Sequence, residues 1–143
     1  MGVSDEQITE FLDRYARALT EFDAETSARL WAQPGVIVDD DFSGVAATRA
    51  EMVQGLTASY PIYRKLGLGS VGYETADVRR LTGKLVQVEV HWLFYDESGA
   101  LLTDSTGHYV LRDGDDGLQA CVCIQVDDRE KLAALAAERG VDL

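Results

Sequence analysis

Lys84-Leu85-Val86-Gln87-Val88-Glu89-Val90-His91-Trp92-Leu93-Phe94-Tyr95 is the stretch on which the fold turns. Its even positions, Val86, Val88, Val90, Trp92 and Phe94, are all apolar, while its odd positions are mixed. Side chains alternate across a strand, so one face of this strand lies on a core and the other is half exposed. The same period extends to both sides. Leu68 to Arg80 reads as a glycine-loosened strand that turns at Leu81-Thr82-Gly83. Asp96-Glu97-Ser98-Gly99 is a turn, Leu101 to Arg112 a strand, Asp113 to Gly117 a turn and Leu118 to Val126 the last strand.

The N-terminal part has the helical period instead. Ser4 with Gln7 is a capping box, followed by Ile8, Phe11, Leu12, Tyr15, Leu19 and Phe22 on one face. Asp23 caps a short second helix holding Ala28, Leu30 and Trp31, stopped by Pro34-Gly35. Val36-Ile37-Val38 is a short strand, and Thr48 with Glu51 opens a third helix through Met52, Val53, Leu56 and Tyr60. Pro61 ends or kinks that helix. Asp128 caps a short closing helix with Leu132 and Leu135 inward and Gly140 past its end. Helices followed by hairpin strands describe an α+β domain, with helices on one face of an antiparallel sheet.

The 143 residues fit a single domain over 1–143, and 46% hydrophobic content suits a packed core. The net charge of −12 repels phosphate backbones and anionic bilayers, so neither nucleic acid nor membrane is an expected partner. The start carries no basic region or apolar run, and Cys121 and Cys123 are too close in sequence to clip distant segments together. A cytoplasmic location is expected.

The order of elements resembles the nuclear transport factor 2-like superfamily, which includes SnoaL-like polyketide cyclases and ketosteroid isomerase. The resemblance covers about residues 5–127. It rests on Tyr15-Ala16-Arg17-Ala18-Leu19, the helix break at Asp23, Val36-Ile37-Val38 followed by an acid, and Thr106-Gly107-His108-Tyr109-Val110-Leu111. It implies a cone-shaped curved antiparallel sheet wrapped around the N-terminal helices, open at one end to a pocket. It also implies that Tyr15 is an oxyanion donor and Asp40 a proton-transfer base. Asp40 is preferred within Asp39-Asp40-Asp41 because its neighbours should point the other way. Gly107 stands where a second oxyanion donor would be, and one missing donor costs roughly 2.7–4 kcal/mol of transition-state stabilisation.

Tyr15, Trp31, Phe42, Met52, Tyr60, Tyr63, Trp92 and Tyr109 should cluster where the cone opens. With Leu56, the set Trp31, Met52, Tyr60, Trp92 and Tyr109 is the expected substrate-binding wall for a small apolar or aromatic molecule. Nothing in the chain has the spacing of a nucleotide loop, and no cofactor is expected. His91, His108, Cys121 and Cys123 match no zinc pattern; the simpler reading is two outward histidines and two small hydrophobes. Two functions remain: a cofactor-free isomerase, cyclase or dehydratase acting at Asp40, or a non-catalytic ligand-binding or dimerisation domain. Leu85, Leu93, Tyr95 and Val110 make the outer sheet face too apolar for solvent, which points to a homodimer through that face.

Overall fold

The computed structural model describes residues 2–142; of the domain expected over 1–143, Met1 and Leu143 lie outside the described residues. The chain runs α1 (Asp5–Thr20), α2 (Ala24–Arg29), β1 (Trp31–Val38), β2 (Ser43–Ala46) and α3 (Arg49–Lys65). It continues through β3 (Leu68–Arg80), β4 (Leu85–Asp96), β5 (Leu101–Gly114), β6 (Gly117–Gln125) and α4 (Asp128–Arg139). The fold is α+β: N-terminal helices, a curved and unclosed six-stranded sheet in the order β2-β1-β6-β5-β4-β3, and a short C-terminal helix.

Local chemistry accounts for the helix starts. The Gln7 N–H donates to Ser4 Oγ while the Ser4 N–H donates to Gln7 Oε1, closing the capping box of α1. The Thr26 N–H donates to Asp23 Oδ1, and the Glu51 N–H donates to Thr48 Oγ1, starting α2 and α3. Each such cap is worth about 1 kcal/mol. Gly140 closes α4 at φ 67°, in the left-handed region that glycine adopts without penalty.

The alternation of β4 sets the sheet. Val86, Val88 and Val90 are wholly buried against Ile8, Phe11, Leu12 and Tyr15 of α1, and Trp92 joins them in one core cluster. Burying each such side chain contributes about 1.5–3 kcal/mol. Glu89 and His91 face outward, and β5 follows the same register, with Val88 opposite Tyr109 and Trp92 opposite Ser105. Thr20 Oγ1, which donates to the Ala16 carbonyl, accepts the Val71 N–H at 2.9 Å and so pins the end of α1 to β3.

Three expectations need correction, and one strand, β2, has no counterpart in the sequence reading. The second helix stops at Arg29, and Trp31 opens β1 rather than sitting on the helix, because residues 30 and 31 are drawn into pairing with Ala120 of β6. The sheet is mixed rather than antiparallel throughout, since β1 runs parallel to β6. Ser43–Ala46 forms an edge strand paired with β1. Pro61 lies inside α3, which runs on to Lys65; beyond it Tyr63 stacks on Phe94 at 6.0 Å and Ile62 packs against Leu66 and Leu135. Packing on both sides offsets the backbone hydrogen bond that proline cannot make.

Candidate functional site: an aromatic cavity

The concave side of the sheet, α1 and α3 frame a half-open cavity of about 620 Å³. Three sequence periods build it. From α3, Met52, Gly55, Leu56, Ser59, Tyr60 and Tyr63 repeat at helical spacing and form one wall. From α1 and its end, Tyr15, Leu19 and Phe22 reach in. From the strands, the inward positions Ile37, Val71, Trp92, Phe94, Ser105, Tyr109 and Cys123 supply the opposite wall.

Two hydrogen-bonded aromatic pairs form the floor. Trp31 Nε1–H donates to the Tyr15 hydroxyl at 2.8 Å, and Trp92 Nε1–H donates to the Tyr109 hydroxyl at 3.0 Å. The Tyr15 ring meets Trp92 at 5.7 Å and Tyr109 at 6.3 Å between centroids, so the four rings are one network. Burial, only partly offset by the Trp31 hydrogen bond, holds the Tyr15 phenol far above its ordinary pKa. Burial does the same to Tyr109, followed by the nearby Cys123 thiol. The Cys123 thiol is itself pushed up to about 12 by burial, so it is no nucleophile at neutral pH.

Two glycines make the floor possible. A Cβ on Gly35 would stand 2.7 Å from Trp31 Cε3 and 3.0 Å from Met52 Cε, so only glycine lets the indole lie on β1. A Cβ on Gly107 would stand 3.0 Å from Tyr109 Cε1. The Tyr109 ring therefore occupies the space over Gly107, the position of the missing second oxyanion donor.

Tyr15, Trp31, Met52, Leu56, Tyr60, Trp92 and Tyr109 all line this one cavity. Asp40 does not, which corrects the sequence expectation of a base within it. Strand parity does not reach Asp40, because β1 ends at Val38 and Asp40 sits exposed in the turn to β2. The turn is organised by Asp39 instead. Its carboxylate accepts the Asp41 N–H and pairs with Arg129 Nε at 2.9 Å.

The acid that does line the cavity is Asp128, at the start of α4, with Glu51 the other carboxylate in the lining. Burial raises the Asp128 carboxyl to about 6, and the negative charges of Asp127, Asp39 and Glu130 add to the effect, against its own backbone N–H. Asp128 in turn helps burial raise the Tyr63 phenol. No local pattern singles it out: it follows Asp127, which spends its carboxylate on the Thr106 N–H at 2.8 Å and leaves the next residue to face inward. On the outer face His91 pairs with Asp104 at 2.7 Å, which also holds Lys131, and His108 faces Glu89 at 4.0 Å. A bulge in β6 leaves Cys121 half-buried and turns Cys123 to the cavity. Among the described residues no three His, Cys, Asp or Glu side chains converge as a metal cage.

Asp128 gives a stability test. Its folded pKa of about 6 exceeds the unfolded value of ~3.9, so the folded state holds the proton more tightly between these values. Its ionisation therefore opposes folding fully above about 6, and the penalty fades as pH falls toward 4. Asp128→Asn is expected to raise stability at pH 7 by on the order of 1–2 kcal/mol, allowing for solvent screening. In chemical denaturation the gap to wild type should narrow from pH 7 to pH 4. Equal stabilities at pH 7 would contradict a desolvated Asp128.

Solved structures share the architecture at low identity. An NTF-2 like protein of unknown function from Shewanella oneidensis aligns with TM-score 0.69 and 14% identity, over 85% of this chain and 98% of its own. A ketosteroid isomerase-like protein from Erwinia carotovora atroseptica gives 0.63 and 14%, over 87% and 97%. A protein from Catenulispora acidiphila in complex with S-DNPA gives 0.65 and 19%, over 87% and 94%. No protein of curated function matches the chain. Among the described residues no helix is long and apolar enough to cross a membrane. Residues 5–128 match the family described as NTF2-like protein (DUF6841), and the chain belongs to that family.

Proposed function

We propose that the chain is a small-molecule-binding domain whose cavity takes one flat, mostly apolar molecule. The carrying observation is the cavity itself: about 620 Å³, walled by aromatic and aliphatic side chains, with hydroxyls at its floor and carboxylates in its lining. That volume lies within the ~300–1,000 Å³ typical of small-molecule sites, and a few polar groups in an apolar wall are what orient such ligands. The Tyr15 hydroxyl accepts the Trp31 N–H and donates to no other described residue, so its proton is free for a ligand oxygen. The alternative of proton transfer at Asp40 lacks geometric support, because that carboxyl is exposed and outside the lining. Binding without conversion is the reading we favour.

The test is thermal stabilisation by a flat apolar probe, naphthylmethanol. A probe at 100 times its dissociation constant adds about 2.7 kcal/mol to the folded state. Wild type should show a saturable rise in Tm, and Leu56→Trp, which fills the cavity from α3, should show none. No rise in wild type, or an equal rise in the variant, would overturn the assignment.

We infer also that two copies pair through the outer sheet face. Leu85, Leu93 and Tyr95 of β4, Val110 of β5 and Val122 and Ile124 of β6 share that face, and Ile124 is 43% exposed. These apolar side chains are interspersed with the His91–Asp104–Lys131 and His108–Glu89 pairs, a mixture suited to an interface between copies, and a two-fold copy is the simplest cover. Light scattering at micromolar concentration should give a dimer for wild type and a monomer for Leu93→Glu. A monomeric wild type overturns the pairing.

A further inference from the structure

We propose that the cavity selects a lipophilic cation: a flat arylalkyl amine whose rings lie between α3 and the sheet and whose protonated nitrogen meets Asp128. The proposal rests on the cavity being a small-molecule site, and adds the charge of what it takes.

Three observations carry it. First, the charged residues in the lining are Glu51 and Asp128, with no lysine, arginine or histidine among the described lining residues. A buried anionic group of a ligand would find no counter-charge there, whereas an ammonium would.

Second, Asp128 is left unpaired while nearby cations are committed elsewhere. Arg129, its neighbour in sequence, reaches Asp39 at 2.9 Å, and Lys131 reaches Asp104 at 2.6 Å. Among the described residues no cation forms an ion pair with Asp128. The groups around it are Asp39, Asp40 and Asp41 from the turn after β1, Tyr63 from α3, Cys123 from β6, and Asp127, Arg129 and Glu130 beside it in the chain. Arg129 is the cation among them, and its guanidinium is held by Asp39. A desolvated carboxylate among acids and neutral groups is stabilised by an incoming cation more than by any neutral ligand. Glu51 differs, because its Oε2 already accepts the Ala47 N–H at 2.6 Å.

Third, the wall near this carboxylate is aromatic. Tyr63, whose phenol feels the Asp128 charge, stacks on Phe94 at 6.0 Å. Ring faces attract ammonium groups by cation–π interaction, which strengthens as the site loses water. The net charge of −12 raises the local concentration of cations around the whole molecule.

The sign of the pH dependence follows. Asp128 is charged above about 6 and neutral below it in the free protein. An arylalkyl amine, whose nitrogen is not conjugated with the ring, stays protonated throughout this range, so its extra affinity should be present at pH 7.5 and fade on acidification. A bound cation lowers the carboxyl's pKa, which moves the fall to a pH below about 6.

The test compares three probes of one shape by calorimetry on the full chain: naphthylmethylammonium, naphthylmethanol and naphthoate. At pH 7.5 the ammonium should bind at least tenfold more tightly than the alcohol, and the alcohol more tightly than the carboxylate. The ammonium preference should shrink severalfold at pH 4.5. Asp128→Asn should erase it, so that ammonium and alcohol bind the variant within about twofold of each other; Glu51→Gln should keep most of it. If alcohol and ammonium bind equally to wild type, or Asp128→Asn keeps the preference, the cation assignment is wrong and the pocket assignment stands. If none of the three binds, both fall together.

Discussion

Two indole N–H groups buried in an apolar interior set the terms for the rest of this fold. An unpaired donor there costs about 1–3 kcal/mol, so each tryptophan must find an acceptor. Trp31 takes the hydroxyl of Tyr15 and Trp92 that of Tyr109, which joins β1 to α1 and β4 to β5. Contacts between the rings then tie the two pairs together. Rings held by directed hydrogen bonds cannot slide to fill the space above them. The cavity is the volume that this rigid floor, the curved strands and α3 leave between them. The requirement reaches the backbone as well, since the Trp31 indole fits only against a residue with no Cβ at position 35.

Much of this was legible in the chain because it is local. The period-two run from Val86 to Phe94 fixes which side of β4 is buried, and the register of the neighbouring strands follows from it. The capping box at Ser4–Gln7 and the Thr48 N-cap place two helix starts for the same reason, although the Glu51 carboxylate turns to the Ala47 N–H instead of closing a second box. The inward parity of Trp92 and Tyr109 and the helical spacing of Met52, Leu56 and Tyr60 bring those residues to one cavity. What was not legible depends on partners far away in sequence. Trp31-Ala32-Gln33-Pro34 has no strand pattern, and becomes β1 only by lying beside β6. Pro61 stays in its helix because Ile62 and Tyr63 have packing partners.

The acids illustrate the same boundary. Asp39-Asp40-Asp41 is conspicuous as a triplet, and alternation suggested that its middle member turns inward. Alternation ends where the strand ends, at Val38, and the turn geometry is then set by the side chain of Asp39. Asp127-Asp128 looks like an ordinary helix start. The division of labour between them, one carboxylate bound to the Thr106 N–H and one facing the cavity, comes from the end of β6 lying alongside Thr106 of β5. A raised pKa and the lack of a cationic partner follow from that placement rather than from any motif.

With only two tryptophans in the chain, the floor of the cavity can be observed directly through two indole N–H resonances. The decisive measurement is an NMR titration of wild-type protein with naphthylmethanol, following those two signals beside the amides of Val110 and Ile124 on the outer sheet face. A ligand cavity above the Trp31–Tyr15 and Trp92–Tyr109 pairs predicts that both indole signals move saturably, with one dissociation constant, while the outer amides stay in place. Shifts confined to the outer face, or indole signals that never move, would contradict it.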